Sequence, residues 1–101
     1  MSPFLPASNG NAVLVKELIA LGADKNARTA EGNTPLHEAC KTARKKERID
    51  TLRVLVAAGC DPLAKHRVGK TPADIANEHE HADVVPILEE AAKNYTERNK
   101  K

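Results

Sequence analysis

The chain has 101 residues, enough for one small domain, and a formal net charge of +2, too small to argue for a nucleic-acid partner by itself. One Phe, one Tyr and no Trp leave the core to Leu, Ile, Val and Ala, which suits helices packed closely together. No apolar run reaches membrane-spanning length, and Met1-Ser2-Pro3-Phe4-Leu5-Pro6 lacks the basic and long apolar regions of a secretory signal.

In chain order, Pro3 and Pro6 argue against a full helix over residues 1–9, because an interior proline removes a hydrogen bond and clashes with the preceding turn. A short turn or an irregular start is expected there. Leu14, Val15, Leu18 and Ile19 form an apolar stripe at helical spacing, and Gly22 follows as the residue that ends the helix. Next comes Gly32-Asn33-Thr34-Pro35-Leu36-His37-Glu38-Ala39. Gly32 permits a turn with positive φ, Thr34 can cap a helix, and Pro35 suits the first helical position. Ile49, Leu52, Leu55 and Val56 give a second stripe that ends at Gly59. The turn-and-cap instruction then returns as Gly69-Lys70-Thr71-Pro72-Ala73-Asp74-Ile75-Ala76, with Asp74 placed for a capping box. A last helix is expected over Ala82 to Ala92, with Val84, Val85 and Leu88 inward and Pro86 near its first turn. The polar, basic stretch 94–101 reads as a tail that frays.

Two copies of one instruction at a fixed distance mean a repeat. Thr34-Pro35-Leu36-His37-Glu38-Ala39 resembles the ankyrin signature T-P-L-H-x-A. Gly22-Ala23-Asp24-Lys25-Asn26-Ala27 is similar to that family's segment after its second helix, and Gly59-Cys60-Asp61-Pro62-Leu63-Ala64 is a looser copy. The resemblance covers roughly Gly10 to Ala92. It implies an all-α solenoid of helix-turn-helix units joined by β-hairpin-like fingers, without enzymatic activity or cofactor, that binds other proteins. The division it suggests is one domain over 1–93, with a partial repeat at about 1–27, an enlarged repeat at 28–64 and a capping repeat at 65–93, before the tail at 94–101. The step from Thr34 to Thr71 equals that from Gly22 to Gly59 and exceeds the family period of about 33 by roughly four residues. The insertion therefore falls within Thr42 to Arg48, and its helix formers suggest one extra turn on the first helix of the repeat. Glu89 stands where the previous repeat has Val56, as befits a helix with no neighbour beyond it.

Three clusters invite chemistry. His37 and Cys40 share a helix face but lack an orienting third group, so they read as a turn-fixing histidine beside a small core residue rather than a catalytic pair. Ser2 and Ser8 lack a nucleophile-elbow pattern. His79, His81 and Asp83 alternate as metal ligands could, but zinc spacing is absent, and an exposed loop with His81 in the family's Gly-His position is the plainer reading. Lys41, Arg44, Lys45, Lys46 and Arg48 form the one basic cluster. It reads either as a solvated helix end or as a nuclear-import signal or dock for an acidic protein partner. With no aromatic residues interleaved, it argues against nucleic acid. Cys40 and Cys60 are expected to be free, buried thiols in a reducing compartment, the cytoplasm or the nucleus.

The resemblance implies contacts at the finger tips and the exposed face of the first helices. By position these are Ala30, Glu31 and Asn33 in one finger and Arg67, Val68 and Lys70 in the next. Lys41, Thr42, Asn77 and Glu78 lie at the first-helix ends, with Lys45 and Lys46 at the rim. The second reading is a structural or self-associating unit, motivated by the incomplete first repeat. A monomer is favoured.

Overall fold

Each helix starts and stops on signals written into its own few residues. A computed structural model describes residues 11–99, so the readings made for residues 1–9, including Ser2 and Ser8, lie outside the described residues. Five α-helices follow: α1 (Ala12–Ala20), α2 (Pro35–Ala39), α3 (Lys45–Ala57), α4 (Pro72–Glu78) and α5 (Val85–Asn99), with a 3₁₀ turn at Ala82–Val84 just before α5. No strand occurs among the described residues. The Asn11 side chain caps α1 by accepting from the Leu14 N–H at 3.0 Å. Thr34 and Thr71 cap α2 and α4, each with Pro at the first position and a reciprocal bond from the third residue, His37 or Asp74.

Three helices end in the same way. The Gly22 and Ala23 N–H groups donate to the carbonyls of Ile19 and Leu18, and those of Gly59 and Cys60 to Val56 and Leu55. This is the Schellman pattern, which needs a left-handed residue just past the helix. Gly22 and Gly59 supply it at φ +97° and +91°. After α4 the N–H groups of Glu80 and His81 donate to Asn77 and Ala76, so Glu80 must take the left-handed place at φ 58°. It is the one non-glycine residue with positive φ among the described residues.

The core is aliphatic, as the composition requires. Val15, Leu36, Ala39, Cys40, Leu52, Leu55, Ile75, Ala76, Val84 and Leu88 form one buried cluster. Each fully buried Leu or Val contributes about 1.5–3 kcal/mol relative to exposure. Leu14, Leu18, Ile19, Ile49 and Val56 are half-buried at its margin. Glu89 is exposed on α5.

The insertion behaves differently from the expectation. The first helix of the enlarged repeat is not extended: α2 stops at Ala39 and has 5 residues. The extra length enters the second helix, with 13 residues in α3 against 9 in α1. Arg48 explains this. It is 5% exposed, and its Nη1 donates to the carbonyls of Thr42 (2.8 Å) and Ala43 (3.3 Å). Those carbonyls are taken by a side chain instead of by the continuing helix, and Arg44 turns extended (φ −87°, ψ 127°) before α3 begins. The same guanidinium grips Asp83 of the next repeat, Nη2 to Oδ1 at 2.7 Å and Nε to Oδ2 at 3.1 Å. Arg48 is therefore no part of a surface basic cluster. At the C-terminal end α5 continues through Asn99, so residues 94–99 are helical rather than frayed. Half-buried Tyr95 lines a cleft of about 260 Å³ with Asn26, Arg28 and Asp61.

Candidate protein-binding surface

Two fingers project ahead of α2 and α4. In the first, the Gly32 N–H donates to the Thr29 carbonyl at 2.8 Å and the Thr29 N–H to the Asn33 carbonyl at 2.9 Å. In the second, Gly69 donates to His66 at 2.9 Å and His66 to Lys70 at 3.0 Å. His66 Nδ1 also accepts from the N–H groups of Val68 (3.1 Å) and Lys70 (3.3 Å), so an imidazole closes this finger from within.

The fingers are fastened side by side. The Arg67 N–H donates to the Glu31 carbonyl at 2.9 Å. Arg28 Nη1 bridges the carbonyls of Gly32 (3.1 Å) and Lys65 (2.7 Å). A Cβ at Gly32 would lie 2.9 Å from the Arg67 nitrogen, so this glycine is required for close approach as well as for its φ of +82°.

His37 fixes the base. Its Nδ1 accepts from the Thr34 N–H at 3.1 Å, and its Nε2 donates to the Lys70 carbonyl at 2.8 Å. One ring thus caps its own helix and tethers the next finger. Burial is the main cause that lowers its pKa below the ordinary histidine value. Its ring stacks on His66 with centroids 5.3 Å apart.

On this frame Ala30, Glu31, Arg67 and Val68 are exposed, Val68 at 79%. Lys41, Lys45, Lys46, Asn77 and Glu78 are exposed too. Two expectations of exposure need correction. Asn33 is 6% exposed, with its N–H donating to Thr29 Oγ1, so it is buried rather than displayed at the tip. Its side-chain oxygen is buried without a hydrogen-bond partner. Thr42 is 4% exposed, enclosed where Arg48 binds its carbonyl. The Lys70 carbonyl is committed to His37 and His66, while its side chain stays 42% exposed with its ammonium paired with Glu78. The Glu31 carboxyl is held below the usual carboxylate range, first by its own backbone N–H and then by the Thr29 hydroxyl.

The other clusters have structural occupations. His81 Nδ1 donates to the Cys40 carbonyl at 2.7 Å and so closes the C-terminal end of α2, while Asp83 is held by Arg48. The metal candidate is thereby divided between two partners in the neighbouring repeat. Cys40 and Cys60 are free and buried. Burial raises their thiol pKa values to about 12 and about 11, which disfavours the nucleophilic thiolate. Cys60 Sγ donates to the Lys25 carbonyl at 3.2 Å, and Lys25 Nζ donates to the Ala58 carbonyl at the end of α3, tying the loops after α1 and α3 together. Elsewhere, α1 and α3 flank an open groove of about 390 Å³ lined by Lys16, Ile19, Arg53, Val54, Ala57 and Ala58.

The capping threonine–proline pairs and the tethered fingers each occur twice among the described residues, ahead of α2 and α4. The family model described as Ankyrin repeats (3 copies) matches residues 4–99. The chain belongs to the ankyrin-repeat family. Its similarities extend to short stretches of larger proteins. Protein phosphatase 1 regulatory subunit 12A of Mus musculus is 34% identical over 90 residues, covering 89% of this chain and 8% of that protein. ARF GTPase-activating protein GIT2 of Homo sapiens is 36% identical over 90 residues, covering 88% and 11%. Potassium channel AKT1 of Arabidopsis thaliana is 32% identical over 84 residues, covering 83% and 9%. The chain thus spans roughly a tenth of the length of these relatives. Ankyrin repeats are generally protein-interaction modules, and the turns expected at Gly32 and Gly69 are present. Sequence reading missed Arg28 and His66, which hold the fingers; no local pattern marks either residue. No helix among the described residues is long and apolar enough to cross a membrane.

Proposed function

We propose that this chain is a non-enzymatic docking module whose fingers carry the contact with a partner protein. The observation that carries this reading is the combination at Arg67 and Val68. The Arg67 backbone is pinned to Glu31 while both side chains stand in solvent. A rigid backbone presenting free side chains loses little entropy on binding. Arg is enriched among the residues that dominate interfaces, and the adjoining apolar Val68 supplies area that binding would remove from water. Glu31, Lys41, Asn77 and Glu78 surround this centre in the reading. The buried, protonated thiols suit a reducing compartment, so the module is assigned to the cytoplasm or nucleus.

The test needs a captured partner. Affinity purification from the native cell extract, with mass spectrometry, supplies candidates, and affinity is then measured for folded variants. Replacing Arg67 and Val68 by Ala should weaken binding more than replacing Arg53 and Val54 in the groove between α1 and α3. If the groove variant loses binding and the finger variant keeps it, the face is wrong.

Self-association is a second reading, favoured by the exposure of Val13 (69%) in α1 and Leu21 (75%) at its C-terminal end. Light scattering over a range of concentrations decides it, and a constant monomer mass counts against it.

A further inference from the structure

The insertion presents cations where stability alone would place something else. Where the chain starts α2 and α4, it uses Thr-Pro caps. At α3 the capping position is Arg44, which makes no side-chain cap bond, and the first two helical residues are Lys45 and Lys46. The positive end of the helix dipole disfavours cations there and a Ser, Thr or Asp cap would serve better, although one carboxylate, Glu47, does stand in the first turn. All three side chains are exposed, as are Lys41 and Ala43 just before them. The ion pairs found among the described residues, Arg48–Asp83 and Lys70–Glu78, involve none of these four cations.

The platform beneath them is nevertheless firmly built. Buried Arg48 holds the backbone of Thr42 and Ala43 on one side and Asp83 of the next repeat on the other. The insertion is therefore a shaped loop, anchored from below, with like charges gathered on top. Such an arrangement costs local stability through repulsion and the dipole, and an anionic ligand relieves both.

We propose that Arg44, Lys45 and Lys46, flanked by Lys41, form a second docking site for an extended acidic segment of a partner protein. This goes beyond the finger reading and does not depend on it. The surface favours a peptide over other polyanions. The exposed residue among the cations is Ala43, so no large apolar side chain is there to enter a bilayer. No aromatic ring is available within the cluster for stacking on bases. Glu47 stands within the first turn of α3 itself and Asp50 in the next, so the positive field is confined to Lys41 and Arg44–Lys46 and suits a short run of carboxylates.

The experiment titrates the full chain with a short fluorescent peptide rich in glutamate, read by anisotropy at two salt concentrations. Lys45→Glu with Lys46→Glu should weaken binding by about tenfold, as roughly two reversed surface ion pairs produce, and should flatten the salt dependence. Lys16→Glu with Lys93→Glu makes the same change in net charge at exposed sites elsewhere and should leave binding within about twofold. Arg67→Ala with Val68→Ala should leave it unchanged, which separates this site from the fingers. Thermal melts check that each variant is folded. Equal losses in the two charge-reversed pairs would show a response to net charge alone and overturn the site. Undiminished binding by the Lys45/Lys46 variant would overturn it as well. Parallel titrations with phosphatidylserine vesicles and with a duplex DNA complete the test. If either binds more tightly than the peptide, and loses that binding in the Lys45/Lys46 variant, the proposed class of partner is wrong.

Discussion

Arg48→Met should destabilise the fold by about 2–4 kcal/mol. Met keeps most of the aliphatic stem and removes the guanidinium, so the loss reports the charge and its hydrogen bonds rather than packing. Removing one partner of a fully buried ion pair costs about 3–5 kcal/mol, because the other charge is stranded. Here the arginine side chain is 6% exposed and the Asp83 side chain 15%, so water partly relieves the stranded carboxylate and the figure is trimmed. The carbonyls of Thr42 and Ala43 lose their donor as well. At about 0.05–0.15 kcal/mol per residue, a chain of 101 residues has roughly 5–15 kcal/mol in all. So short a repeat array belongs in the lower half, with few interfaces between repeats. The variant should then lose between about a fifth and four fifths of its stability and roughly 10–25 °C in Tm. Denaturant unfolding followed by far-UV circular dichroism measures it. A double-mutant cycle with Asp83→Ala should give a coupling of about 1–3 kcal/mol. The acid limb adds a second readout. The Arg48 hydrogen bond is the main cause that lowers the Asp83 pKa below the ordinary aspartate value of 3.8. Its stabilisation is therefore complete above that value and is lost as pH falls through the folded-state pKa. Wild type should shed this stability in acid, and the Met variant should have none of it to shed. A cost under about 1 kcal/mol with no coupling would refute the staple, since that is what an exposed pair contributes.

Glu80→Gly should stabilise the protein by about 0.5–1 kcal/mol in the same assay, because it removes the left-handed strain at φ 58°, less the added chain entropy of glycine; a loss would mean that the glutamate side chain has a role of its own. Thr51→Val should gain about 1 kcal/mol, since its fully buried hydroxyl has no hydrogen-bond partner and Val has nearly the same shape; a destabilised variant would reveal a bond the geometry lacks. Stability should fall as pH drops below about 6.5, because folding lowers the His37 pKa and the unfolded chain then binds the extra proton. His37→Gln should flatten that slope, and an unchanged slope would assign it to another group. Cys40 and Cys60 should react slowly with a thiol reagent at neutral pH until denaturant is added, and fast native labelling would contradict their burial and raised pKa values.

What the sequence determined by itself is whatever is decided within a few residues of chain. Thr34-Pro35 and Thr71-Pro72 start helices because the hydroxyl and the N–H it accepts are three residues apart. Gly22 and Gly59 stop them because the bonds that end a helix are equally local. The apolar stripes, the repeat and the family followed from the same short-range periodicity, and so did the two fingers with exposed Arg67 and Val68. The tertiary structure decided what depends on partners far along the chain. Arg48 reads as one more surface cation until Asp83, 35 residues away, arrives to bury it, and that union moved the extra turn from α2 to α3. Asn33 and Thr42 occupy positions that are exposed by analogy, yet the finger and the insertion fold over them. His66 looks like an ordinary loop histidine until it closes its finger and stacks on His37. Residues 94–99 lack any strong local signal, but they continue α5, and Tyr95 lines one cleft with Asn26 and Asp61 of the earlier repeats. Local hydrogen bonds and periodicity are encoded in adjacent residues, whereas burial of a charge is settled only when stacking brings its partner within reach.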